Sequence, residues 1–201
     1  MSIKKIFFLT VFSIFLSSCA TFNKKIALDK NIKITAHNLN TLEGIYTIHP
    51  TIGTQQINNY GDRPIENNAL NRYTIFNALK ELDPEFQKTV QKNPSDYSVK
   101  IKVKTNKRLT FFLQKNKNTI DSISVKYKIK KDGYVYLKNS NFKIKNVPLI
   151  YGGFKVNKVR LTLNEENNLI LDHSYYTYHA ALLFIGNDRT IKNCNLYTRQ
   201  P

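Results

Sequence analysis

The stretch 97–104, YSVKIKVK, alternates apolar and polar residues without a break, and 123–130, ISVKYKIK, repeats the pattern. Successive side chains on a strand point to opposite faces. The alternation therefore predicts two strands, one burying Tyr97, Val99, Ile101 and Val103, the other Ile123, Val125, Tyr127 and Ile129. A period of two continues through 109–113, 134–137, 142–147, 154–163, 169–176 and 180–185. Turn chemistry separates these runs at 116–118, 132–133, 139–141, 152–153, 165–168 and 186–188, and Asp132-Gly133 is the clearest hairpin signal. Strands at this spacing predict a mainly β domain, an antiparallel meander of about eight to ten strands. Closure removes exposed edges, so a closed or partly closed barrel is expected, with a curved open sheet packed on a helix as the alternative.

Working outward, 42–48 (LEGIYTI) reads as a first strand and the polar stretch 51–68 as a long loop. Leu70, Tyr73, Phe76, Leu79 and Leu82 then recur every three residues, which predicts one amphipathic helix at about 69–82, ended by Pro84. Residues 20–40 keep no period and read as a tether, with a short strand at Ile32 and Ile34. Residues 41–201 are expected to form a single β-rich domain. Apolar residues at 41% and aromatic residues at 12% argue against disorder.

Charge is unevenly spread. The chain carries +17, and from Tyr97 to Arg160 seventeen Lys and Arg face only Asp121 and Asp132. Lys100, Lys102, Lys104, Lys126, Lys128, Lys130, Lys143 and Lys145 share the polar phase of their strands, which predicts a basic outer face. Such a face suits anionic envelope lipids, lipopolysaccharide or an acidic protein. It also blocks edge-to-edge pairing.

The residues offer little for catalysis. His37, His49, His173 and His179 show no metal-ligand spacing, so neither metal nor cofactor is expected. Asp172-His173-Ser174 holds the residue types of a hydrolytic triad, but neighbours on a strand face opposite ways. Glu165 and Glu166 sit in a turn, and Gly152-Gly153 reads as a turn or bulge. Tyr175, Tyr176 and Tyr178 read as half-buried strand residues, and Cys194 as a small buried apolar side chain. The chain is not expected to be an enzyme.

The first residues carry an export signal. Lys4 and Lys5 precede an apolar run from Ile6 to Leu16, interrupted by Thr10 and Ser13 and followed by Ser17 and Ser18. This run is shorter than the roughly twenty residues of a membrane-spanning helix. The tetrad Leu16-Ser17-Ser18-Cys19 resembles the lipobox of bacterial lipoproteins. The resemblance implies a signal peptide at 1–18, lipid on Cys19, a lipidated tether at 19–40 and attachment to a membrane. Ala20 after the cysteine resembles the sorting pattern for an outer membrane facing the periplasm, where nucleic acid is not a partner. Gly44-Ile45-Tyr46 resembles the Gly-x-Trp motif of lipocalin-like lipoproteins, with Tyr46 in place of the Trp and the helix placed after the first strand. The chain is also similar to small Gram-negative lipoproteins rich in Lys, Asn and Ile, which implies a fold type and no activity. The expected function is a membrane-anchored envelope lipoprotein acting as a non-enzymatic binding or interaction module through its basic face. The alternative implied by the lipocalin resemblance is a carrier of a small apolar ligand inside the barrel.

Overall fold

A computed structural model describes residues 22, 31–57, 63–70, 73–80, 82–138, 143–147, 151–181 and 185–201. Among them run β1 (Asn31–Ile32), β2 (Gly44–Thr47), β3 (Ile52–Ile57), β4 (Arg63–Pro64), α1 (Asn67–Leu70), α2 (Ile75–Leu79) and α3 (Pro84–Lys92). The meander follows as β5 (Tyr97–Lys104), β6 (Arg108–Lys115), β7 (Asn118–Ile129), β8 (Val135–Leu137), β9 (Lys143–Val147), β10 (Tyr151–Asn164), β11 (Leu169–Ala181), β12 (Ile185–Tyr197) and β13 (Arg199–Gln200). The described strands form one 13-stranded sheet in the order β13-β2-β5-β6-β7-β8-β10-β11-β12-β3-β4, with β1 and β9 paired to β10. Every pairing is antiparallel.

The sheet is mainly β and antiparallel, as the alternation requires, but it is not closed into a barrel. Its path has two ends, β13 and β4. The three-residue β8 is what joins β7 to β10, pairing Tyr127 to Ile129 on one side and Val159 to Leu161 on the other. Beyond β8 the two long strands part: residues 118–126 of β7 pair with β6, and residues 151–155 of β10 pair with β9. On the far side β12 pairs with β3, Thr198 steps out of the ladder, and β13 pairs with β2. Thr47 N donates to Thr198 O at 2.9 Å, and Thr51 N to Leu196 O at 2.8 Å.

The core lies where the period of two places it. Tyr46, Phe76, Val99, Ile101, Leu109, Phe111, Leu113, Val125, Leu161 and Leu171 are buried together, with Ile123, Tyr127 and Ile129 packed on from partly buried positions. Each such large apolar side chain contributes roughly 1.5–3 kcal/mol by leaving water. Tyr46 is held at both ends of its environment. Its hydroxyl donates to Leu42 O at 3.0 Å, and Arg199 lies 5.9 Å from its ring while donating to Thr41 O at 3.1 Å and to Glu43 O. Gly44 makes room for this lid, since a Cβ there would meet the Arg199 guanidinium at 3.0 Å. Burial pushes the Tyr46 phenol up to about 12.

The helical region departs from its periodicity. Instead of one helix at 69–82, the chain makes α1, α2 and α3, and Pro84 opens the longest of them. Proline suits the first helical turn, where its missing N–H costs nothing. Asp83 caps that turn, its Oδ1 accepting from Glu85 N at 2.9 Å and Phe86 N at 3.1 Å. Thr74 caps α2 through Asn77 N at 3.0 Å, which restarts the chain between α1 and α2. The expected loop at 51–68 contains β3 and β4. The polar Thr54-Gln55-Gln56 gives no strand period, and the ladder from Leu196↔Ile52 to Ile191↔Ile57 holds it extended. Gly152-Gly153 and Gly186-Asn187-Asp188 lie inside β10 and β12, where ladders running the length of β11 outweigh their turn propensity.

The hairpins obey turn chemistry. Asn116 (φ 49°) and Lys117 (φ 67°) form a two-residue turn between Lys115 and Asn118. Lys107, Gly133 and Asn167 each end a loop in left-handed conformation. At Gly133 (φ 83°) an added Cβ would meet Lys33 Cγ at 2.6 Å and Lys33 Cα at 3.0 Å, and Gly133 O accepts from Ile34 N at 2.9 Å. Gly133→Val is therefore expected to cost about 2 kcal/mol through backbone strain and this close approach. A urea midpoint indistinguishable from that of the parent would contradict the assignment.

Candidate functional site

Cys19 lies outside the described residues, as do the side chains of Lys143 and Lys145. The remaining lysines of the expected basic face stand on the side of the sheet opposite the core, but they do not form one stripe. Lys104, Arg108 and Lys126 are cross-strand neighbours and make a cationic row. Lys100 is half-buried opposite Phe112, and Lys102 lies 3.7 Å from Glu43. Lys128 and Lys130 are exposed, and Lys130 Nζ sits 3.7 Å over the Tyr136 ring.

Lys128 is the cross-strand neighbour of Tyr136, which leads on to Arg160 and Asp172. Arg160 and Asp172 form a buried ion pair, Nε to Oδ2 at 2.7 Å, on the face of β10 and β11 opposite Leu161 and Leu171. The guanidinium also donates to the Tyr136 hydroxyl at 3.3 Å, and that hydroxyl donates to Asp132 Oδ2 at 2.5 Å. The Tyr134 ring covers Arg160 at 3.9 Å and the Phe22 ring at 4.6 Å, and Phe22 meets Tyr136 edge-on at 5.5 Å. Burial pushes the Asp172 carboxyl up; Arg160 offsets part of that, as does the buried Cys194 thiol beside it. Burial also pushes the Tyr134 phenol up to about 12.

A cleft of about 1030 Å³ opens where β7 and β10 part. The end of α2 spans the gap. Lys80 pairs with Asp121 of β7 at 2.9 Å, and Asn157 of β10 donates through Nδ2 to Ala78 O at 3.2 Å. That bond turns the Asn157 oxygen toward His173, whose Nε2 lies 2.6 Å from it, so Nε2 carries the imidazole proton. Burial pushes the His173 imidazole down to about 4. Leu79, Leu82, Ile123 and Val125 supply apolar wall, and Lys80, Arg108, Lys126, Lys138 and Lys155 supply cations against Asp83. The interior proper is occupied, because Val99, Ile101, Val125 and Leu161 belong to the core itself.

Asp172 and His173 face opposite sides, one to Arg160 and the other to Asn157, and Ser174 is fully buried. These residues form no triad. Glu165 and Glu166 are exposed in their turn. Among the described residues no group of three or more His, Cys, Asp and Glu could hold a metal ion. The alternation does not reveal the Arg160 cluster or the cleft, since both depend on strand register. The visible signals were an Arg on the polar phase of β10 and a His on the apolar phase of β11. No protein-family model matches the chain, and no curated protein matches it.

Proposed function

We propose that this chain is a membrane-anchored envelope lipoprotein, held by lipid on Cys19 in an outer membrane and facing the periplasm. It works without catalysis, as an interaction module that holds a basic face to anionic headgroups or lipopolysaccharide phosphates. The observation that carries this reading is the seat of Phe22 on Arg160 and Tyr136, because Phe22 stands three residues after Cys19. Three extended residues reach about 10 Å, so acyl chains on Cys19 enter the bilayer close to this cluster. Lys128, Lys130 and Lys131 are exposed around it. Each Lys near an anionic surface contributes about 1 kcal/mol, within a Debye length of about 8 Å at physiological salt. An acidic protein would meet the same charges.

A lipocalin-like, partly closed architecture belongs with this reading. It is supported by β13, which follows β12 and pairs with β2. An apolar cargo has less support, since the side chains expected around it fill the core.

The test uses the lipidated protein in nanodiscs. Cys19→Ser should lose a clickable fatty-acid label, and persisting label would remove the anchor. In discs with anionic lipid, Lys128 and Lys131 should be shielded from an amine-reactive reagent relative to Lys88 and Lys92. The shielding should fade near about 0.5 M salt. Equal reactivity of all four in anionic and neutral discs would refute the basic face as the membrane side.

A further inference from the structure

We propose that the cleft between β7 and β10 binds a phosphorylated small molecule, its phosphate held by Lys126, Lys138 and Lys155 and its uncharged part by the apolar wall. The first argument is convergence. On a face that serves solubility, lysines diverge into water. Here Lys126 comes from β7, Lys138 from the residue after β8 and Lys155 from β10, and all three line one concavity.

The second argument is charge balance. Lys80 is matched by Asp121 at 2.9 Å, and Arg108 Nη1 donates to Ser124 O at 2.9 Å. Lys126, Lys138 and Lys155 make no ion pair among the described residues, and Asp83, the acid on the wall, already caps α3. These lysines and Arg108 lie beside Leu79, Leu82 and Ile123, a wall of low dielectric that concentrates their field on the cleft.

The third argument is size and neutral lining. About 1030 Å³ exceeds what one inorganic ion needs and matches pockets for small organic ligands, roughly 300–1,000 Å³. Asn77 and Gln87, joined by Gln87 Nε2 donating to Asn77 Oδ1 at 3.2 Å, add a polar wall beside the His173–Asn157 pair. An apolar carrier would not place these groups here. Phosphate also rewards several lysines more than a single carboxylate does, because it offers more charge and more acceptor oxygens.

The site does not depend on the anchor, since Lys126, Lys138 and Lys155 line the cleft whereas Phe22 packs on Arg160 and Tyr136. Two sources could supply the ligand, a soluble phosphate ester or a lipid headgroup. The full-length protein in neutral detergent is titrated calorimetrically with pyrophosphate, with dihexanoyl phosphatidate and with uncharged dihexanoylglycerol. Saturable one-to-one binding of pyrophosphate, with or without phosphatidate, supports the site and a soluble source. Binding of phosphatidate without pyrophosphate supports the site and a lipid source. In either case Lys138→Gln with Lys155→Gln should weaken affinity at least tenfold, whereas Lys88→Gln with Lys92→Gln, outside the cleft lining, should stay within twofold. Melting midpoints verify folding, and Lys126→Gln repeats the test if the first pair folds poorly. The proposal is overturned if neither phosphorylated probe saturates, if dihexanoylglycerol binds as tightly, or if both pairs weaken binding equally.

Discussion

Arg160→Met is expected to destabilise the domain by about 3–5 kcal/mol, because it leaves the Asp172 carboxylate buried without its counter-charge. Asp172 is 5% exposed, and its Oδ1 already makes no hydrogen bond, so the Arg160 Nε contact at 2.7 Å carries much of its compensation. The substitution also removes the cation between Tyr134 and Phe22. Urea unfolding followed by circular dichroism measures the loss. Arg160→Met combined with Asp172→Leu should recover most of it, since replacing both members of a buried pair with apolar groups is often neutral. A double variant as unstable as the single would mean that the loss comes from packing and not from the orphaned charge.

Acid should unfold the protein through two histidines, the half-buried His173 and the buried His49. His173 titrates near 4 in the fold and near 6.5 when unfolded, so below neutrality the unfolded chain takes up the proton first. Its contribution is complete above pH 6.5 and is lost as the pH falls toward 4, at most about 3 kcal/mol. His49, buried and also shifted down by burial, acts in the same direction. Asp172, shifted up, acts oppositely in the carboxylate range. Lys80, Asp83, Arg108, Lys126, Lys138 and Lys155 line the same cleft as His173. His173→Gln removes the titration while its amide can still donate to Asn157. Thermal midpoints from pH 7.5 to 4.5 should fall less steeply in that variant, and parallel curves would show that His173 is not the titrating group.

The strands were legible where one face is wet and the other dry. Val99 and Ile101 against Lys100 and Lys102, or Val125 against Lys126, announce both the strand and its inner side. Legibility failed where a ladder, not a pattern, holds the backbone. Thr54-Gln55-Gln56 is extended because β12 pairs with it, and Gly152-Gly153 is extended because β9 and β11 flank it. The helical region misled through Pro84, whose meaning reverses once Asp83 is seen to cap the turn ahead of it. Barrel closure failed at the ends of the path, because β13 and β4 are strands of two residues each and do not pair with one another. Of the sites, Lys126 was visible as a polar-phase lysine. Its convergence with Lys138 and Lys155 depends on where β7 and β10 separate, and no local period encodes that.

The Arg199 lid also bears on when the chain acquires its shape. Its bond to Thr41 joins residues 158 apart in sequence, and the bond between Thr198 and Thr47 joins residues 151 apart. The outer edge of β2 therefore stays unsealed until residue 199 has been synthesised, and contacts of such separation form late and slowly. A polypeptide in which β2 waits for β13 keeps that end of its sheet open until the last stage of folding.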